Sequence, residues 1–388
     1  MVVIELSVDR TEAPSPLPEP KVKHPFPRWA VNVVALLILA PFLGPSSTST
    51  DFKPFVDEAT RVARSEAMFV SRLEADEPGC SVAVGIDGRV AWASSRGLAD
   101  LASGTKLTAD TVFDIASVSE QFTAAAILLL AEEGGLSVDD TVSDHLSGLP
   151  NWAERVTIDH LIHKTSGIRD YGTLLGNQGY QLTQRTTQAQ AIRALTDAPE
   201  LNFESGKWTD DSRSNYLLLT EIVHTVSGTA LPRFLQERIF EPLGLEMVMT
   251  RTGKISGKAT SYTSDSRGPQ VTDFGWEQIG AGGIQTTPSE LVRWADNYRT
   301  GRVGGRPLLD AQLADAVTDT VDVTYSYGAG IWLVTDGSLS RGGGWEGFVA
   351  YLEIMPDHRT ALALSCNSAN LAPEPMTAII DDLRRIWA

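Results

Sequence analysis

Ser117 and Glu120 stand three residues apart at the start of an apolar run, Phe122 to Ala131, that Gly134-Gly135 closes. The run predicts a helix with both side chains on its first turn. Backbone N–H groups and the helix dipole favour negative charge there, which suits a serine oxygen attacking a carbonyl carbon. Such a serine needs a base, and a carboxylate of ordinary pKa, about 4.3, is a weak one unless burial raises it. The same Ser-x-x-Glu spacing describes a capping box, in which each side chain satisfies a backbone donor of the other residue.

The chain has 388 residues, enough for one large domain or two smaller ones, and 42% are apolar, enough for a sizeable core. A formal charge of −17 argues against a nucleic-acid partner, since a polyanion needs a basic surface. Two cysteines, Cys80 and Cys366, are too few for a disulfide framework or a cysteine zinc site. There is no internal repeat, G-x-S-x-G, H-E-x-x-H or phosphate loop, and no cofactor or metal is indicated.

Residues 1–28 read as a disordered tail, with six prolines between 11 and 27. Residues 29–44 are almost entirely apolar and follow Lys21, Lys23 and Arg28. They read as a signal-peptide core or short membrane anchor, with the tail cytoplasmic and the rest of the chain outside. Membrane contact is expected only there. Residues 45–51 form a Ser/Thr-rich linker, and 52–388 the folded domain, extracytoplasmic and either anchored or secreted.

Elements must then position the serine. Phe55, Ala59, Val62, Phe69 and Leu73 recur at helical spacing and predict a helix over 52–75. Cys80, Val82, Val84 and Ile86 alternate, and Asp87-Gly88 turns the chain back through Val90 and Trp92 as a hairpin. Strand-like runs at 327–334, 347–355 and 360–366 precede a last helix bearing Met376, Ile379, Ile380, Leu383 and Ile386. Helical patterns and long polar loops fill 117–245. The expected fold class is α/β (α+β), with an antiparallel sheet from both chain ends flanked by helices and an inserted, mostly helical region over about 111–280.

Six segments carry a resemblance in order: Phe113 to Ala124; Leu161-Ile162-His163-Lys164-Thr165-Ser166-Gly167; Gly206 through Tyr216 to Val223; Phe240-Glu241-Pro242-Leu243-Gly244-Leu245; Ala281-Gly282-Gly283 to Leu291; and Gly342 to Phe348. Together they resemble the serine β-lactamase and penicillin-binding-protein superfamily, in its class C β-lactamase, DD-peptidase and esterase branch. The resemblance covers roughly residues 55–388. It implies the mixed fold above, with the serine in the helical part, and favours a nucleophile site over a helix cap at Ser117.

The resemblance also assigns positions. The family's S-x-x-K lysine, which helps take the serine's proton, is Glu120 here. Its Y-S-N/D triplet falls on Asp211-Ser212-Arg213, and shifting the frame by one residue brings Asp210 rather than a tyrosine. Its H-x-G or K-T-G strand reads Arg341-Gly342-Gly343, and the histidine of H-T-S-G is Lys164. Arginine stays protonated, so Arg341 can bind a carboxylate or an oxyanion but cannot shuttle protons. The bland readings are a solvated loop at 210–213 and surface ion pairing for Lys164. Ser117, Glu120, Asp211 and Arg341 are the candidate catalytic residues; Arg213, Lys164 and Gly343 are the candidate binding residues. Two acids and two arginines cancel in charge, which predicts a compensated network with Glu120 contacting Arg213 or Arg341.

Three functions fit. One is a repurposed enzyme acting on a small carbonyl- or carboxylate-containing substrate, by acid/base or altered serine chemistry. Another is a pseudoenzyme binding a peptidoglycan-like, peptide-like or other small ligand. The third is a residual serine esterase. In the family the strand of Cys80 pairs with the last strand, which holds Cys366, so either a disulfide or two buried thiols is expected.

Overall fold

The computed structural model describes residues 56–388, apart from positions 208, 273, 320, 321, 346 and 373. The expected tail, apolar segment and linker lie outside the described residues. Among the described residues, no helix is long and apolar enough to cross a membrane.

The helix expected over 52–75 is α1, Glu58–Ser71, started by Asp57, whose side chain accepts from the Thr60 amide. Residues 52–55 lie outside the described set. The hairpin follows as β1, Cys80–Ile86, and β2, Arg89–Arg96. Asp87 and Gly88 both have positive φ, 52° and 76°, as a two-residue turn matched to strand twist requires.

Six further strands complete the main sheet: β3 Val317–Thr318, β4 Tyr325–Tyr327, β5 Trp332–Val334, β6 Leu339–Trp345, β7 Phe348–Ile354 and β8 Thr360–Cys366. Their order is β3-β4-β5-β6-β7-β8-β1-β2, so the two chain ends meet at the β8–β1 pair. The run at 327–334, expected as one strand, is two. Gly328 to Gly330 turn between them, and β4 pairs back on β5.

Cys80 and Cys366 face each other in the β1–β8 register and are joined by a disulfide. Both are fully buried. The alternative of two free thiols is therefore set aside: antiparallel pairing placed the sulfurs opposite one another.

Five helices frame the site. α1 and the C-terminal α5, Met376–Trp387, pack over one face of the sheet around Phe69, Val82, Leu364 and Leu383. α4, Pro288–Ala295, lies against β1 and β8 from the other face. α2, Glu120–Glu132, is buried on every side from Glu120 to Leu130, as a central helix that is apolar all round should be. It packs on α3, Ser214–Ser227. Helices concentrate between 116 and 243. The stretch to 280, expected within the helical region, instead carries the short strand Val248–Met249 and the hairpin Tyr262–Asp265/Gly268–Val271, because Gly- and Pro-containing turns break its helical periodicity.

Candidate active site

Ser117 lies in a 3-10 turn, Ala116–Ser119, that runs straight into α2. Ala116, just before it, has φ +48°. That left-handed conformation is uncommon for alanine and is held where surroundings over-determine it. Here the buried Asp114 does so: its Oδ1 accepts from the Ala116 amide at 2.8 Å, and its Oδ2 accepts from Gln285 at 2.8 Å. On the other side β6 runs directly against the turn. A Cβ on Gly343 would come within 2.6 Å of the Ser117 nitrogen. Gly343, expected to bind substrate, thus serves close backbone packing, and it is Gly344 that lines the cleft.

The capping box does not form. Ser119 occupies the N-cap without a side-chain cap bond, and its hydroxyl instead accepts from the Ile284 amide. The Glu120 side chain, wholly buried, turns away from the helix backbone. Its Oε2 accepts from Arg341 and, at 2.6 Å, from the Tyr327 hydroxyl. Its Oε1 lies 2.9 Å from the Lys164 ammonium, within ion-pairing distance but without hydrogen-bond alignment. Arg341 also donates through Nε to the Ser117 carbonyl at 3.1 Å. Desolvation opposes the charge on Arg341, but the Glu120 carboxylate beside it prevails and raises its pKa. Burial, then the Glu120 charge, push the Tyr327 hydroxyl well above its ordinary value, so it remains a donor.

Lys164 closes the network. It follows the short helix Ile158–Ile162 with φ +55°. Its side chain, only 4% exposed, passes the rings of Tyr216 and Tyr327 at 5.6 and 5.4 Å. Its ammonium then donates to Asp211 Oδ1 at 2.5 Å. The reading of Lys164 as a surface ion pair is thereby corrected, since its stem is sealed under two aromatic rings. Asp211 sits at the mouth of the cleft, its side chain 86% exposed. Crowding by surrounding protein acts to raise its carboxyl pKa, but the charge and hydrogen bond of Lys164, with Arg341 and Arg213 behind, hold it below the ordinary value. Glu120, Asp211, Lys164 and Arg341 balance in charge.

The expected contact between Glu120 and Arg341 is present; Arg213 goes elsewhere. It forms a bidentate pair with Asp170, at 3.0 Å to Oδ2 and 2.6 Å to Oδ1. Gly172 makes room for it, since a Cβ there would stand 2.0 Å from Nη2. Asp170 also caps the helix Tyr171–Asn177, which fixes the carboxylate before Arg213 reaches it. Ser117, Asp211 and Arg213 line one cleft of about 400 Å³, with Asp170, Arg251 and Trp345 among its walls. No hydrogen bond ties up the Ser117 hydroxyl among the described residues. Sequence reasoning missed Tyr327, Asp170, Asp114 and Arg251; only the cap position of Asp170 left a local signal.

Comparison with known proteins identifies the family and the fold. The family model described as Beta-lactamase matches residues 58–383. A D-aminopeptidase from Brucella anthropi is 31% identical over 56% of this chain, but the match spans only 42% of that protein's own length. Penicillin-binding protein 4 of Amycolatopsis lactamdurans is 26% identical over 76% of this chain and 82% of its own. Among solved structures, the D-amino acid amidase from Ochrobactrum anthropi SV3 superposes with a TM-score of 0.72 over 84% of this chain and 98% of its own. At 20% identity that likeness is one of fold. With a family model covering most of the chain, the motifs in order and the serine turn set against the sheet, this chain belongs to the Beta-lactamase family.

Proposed function

We propose that this protein is an amide or ester hydrolase acting through Ser117, with Asp211 and Lys164 taking over the proton handling that the family's lysine and tyrosine provide. The observation that carries this reading is the Lys164 ammonium, delivered from another loop against Glu120 one helical turn beyond the serine. A lysine reaches the serine helix from position 164 while the position one turn after the serine holds an acid, and the charges of Glu120, Asp211, Lys164 and Arg341 balance.

In this scheme the Ser117 oxygen bonds to the substrate carbonyl carbon, and its proton passes to the Asp211 carboxylate. The carbonyl π pair moves onto oxygen, where the positive end of the turn leading into α2 favours the new charge. Collapse expels an amine or alkoxide, which takes the proton back from Asp211. Water then repeats the sequence on the acyl-serine. Lys164 holds Asp211 through Oδ1 and keeps it ionised, which also makes it a weaker base than a free carboxylate, so slow turnover is expected. The names of the relatives, a D-aminopeptidase and a D-amino acid amidase, support a small D-amino-acid amide or related peptide as substrate. The disulfide supports an exported setting, where oxidising conditions let it persist. Membrane contact, in this reading, is confined to residues 29–44.

Intact-mass spectrometry after incubation with a fluorophosphonate, a fluorescent penicillin and activated esters tests the proposal. An adduct is expected on the native chain and not on Ser117→Ala. Asp211→Asn should lower turnover of any ester by about 10²- to 10⁴-fold, the range of general-base catalysis. A second reading, binding without turnover, is favoured by one observation: the buried cations nearest the serine helix, Lys164 and Arg341, are already satisfied by carboxylates. Absence of both adduct and turnover would select it.

A further inference from the structure

Behind Trp345, separated from the serine cleft by Arg251 and that ring, lies a second chamber of about 240 Å³. Arg251 is the anomaly in its wall. Its side chain is only 7% exposed, yet Nε and Nη1 have no hydrogen-bond partner among the described residues. The guanidinium lies 4.0 Å from the centre of the Trp345 ring. Asp114, 3.5 Å from Nη1, is its one nearby carboxylate among the lining residues. Both Asp114 oxygens already accept hydrogen bonds, from the Ala116 amide and Gln285, in holding the serine turn. Lys258 adds a second cation, its ammonium 5.1 Å from the Phe348 ring. Two cations against one committed carboxylate leave the lining with one positive charge in excess among the described residues. The remaining walls include Phe274, Trp276 and Phe348.

Buried guanidinium N–H groups without acceptors are costly, and an incoming anion would relieve that cost with the planar fork arginine offers to carboxylates. A cavity of about 150 Å³ already admits a benzene ring. We propose that this chamber is a substrate subsite for a carboxylate carried on an aromatic or similarly apolar substituent of the acyl group, gripped by Arg251 and steered by Lys258. It rests on the reading of the adjoining cleft as a substrate site. The substrate class narrows accordingly, to acyl compounds with a distal carboxylate rather than neutral ones.

Binding of phenylacetate and of phenylacetamide to the full chain, measured by calorimetry, tests this without requiring turnover. Phenylacetate should bind at least about tenfold more tightly. Arg251→Met should erase the preference and Lys258→Met should reduce it about threefold. Equal affinity of the two probes, or a preference intact in Arg251→Met, would overturn the proposal. If circular dichroism shows that Arg251→Met does not fold, Lys258→Met decides, and an unchanged preference there rejects the subsite. The same titration on Ser117→Ala should keep the preference, so failure of the hydrolase reading and failure of the subsite remain separate results.

Discussion

Arg341 and Arg251 both stand near the serine turn, and both side chains are 7% exposed. Arg341 donates to Glu120 and to the Ser117 carbonyl, and its carboxylate partner is shared with Tyr327 and Lys164. Arg251 has one carboxylate at 3.5 Å, already engaged, and two N–H-bearing nitrogens without acceptors. The first is a closed network that holds two layers of the fold together. The second is a buried charge whose partner is missing from the protein itself. A paired buried charge reports on structure; an unpaired one in a cavity wall reports on what the cavity receives.

The sharpest way to break this contrast is to remove each arginine. Arg341→Met should destabilise by about 3–5 kcal/mol, because Glu120 is left buried beside a single cation. Arg251→Met should change stability by no more than about 1 kcal/mol, since an unsatisfied charge is replaced by an apolar chain of similar length and Asp114 keeps its two neutral donors. Urea unfolding of both variants measures the difference, and similar losses would erase the distinction. A smaller effect sharpens the inner side: Glu120→Lys combined with Lys164→Glu should recover about 1–3 kcal/mol relative to the sum of the single changes, as a directly coupled pair requires. A double-mutant cycle that closes to zero would mean that the two groups do not interact.

The smallest effect concerns Asp211 at the edge of the closed network. Its carboxyl pKa is lowered in the folded state, so its contribution to stability is present above the unfolded value, about 3.9, and lost as pH falls through the folded one. Wild type and Asp211→Asn should therefore differ in urea midpoint at pH 6 and converge in acid below about pH 4. Because the side chain is largely exposed, the gap should be slight. A gap that widens in acid would show that the sign is wrong.

Much of the frame was legible locally. Alternation at Cys80 to Ile86 and the Asp87-Gly88 turn announce the first hairpin, and the spacing of Met376, Ile379, Ile380 and Leu383 announces the last helix. Within the site, Ser117 at a helix start and charge compensation between Glu120 and Arg341 were both readable, the latter because buried charges must pair. Glu120 was expected to contact Arg213 or Arg341 and took Arg341; for Arg213 the pairing principle requires a counter-charge without saying which. Asp170, forty-three positions away, supplied it. Lys164 looked like a surface lysine, since nothing in its neighbours reveals two tyrosine rings arriving from residues 216 and 327.

The sequence by itself determined the family, the order of elements, the serine turn and the sum of charge around it. Those rest on local periodicity, short motifs and composition, which act within a few residues. Which oxygen faces which cation, whether Cys80 and Cys366 bond, and which arginine is left without acceptors were decided only by the tertiary structure. Such contacts join segments up to 286 residues apart, and their partners are set by strand register and helix packing rather than by anything written beside them.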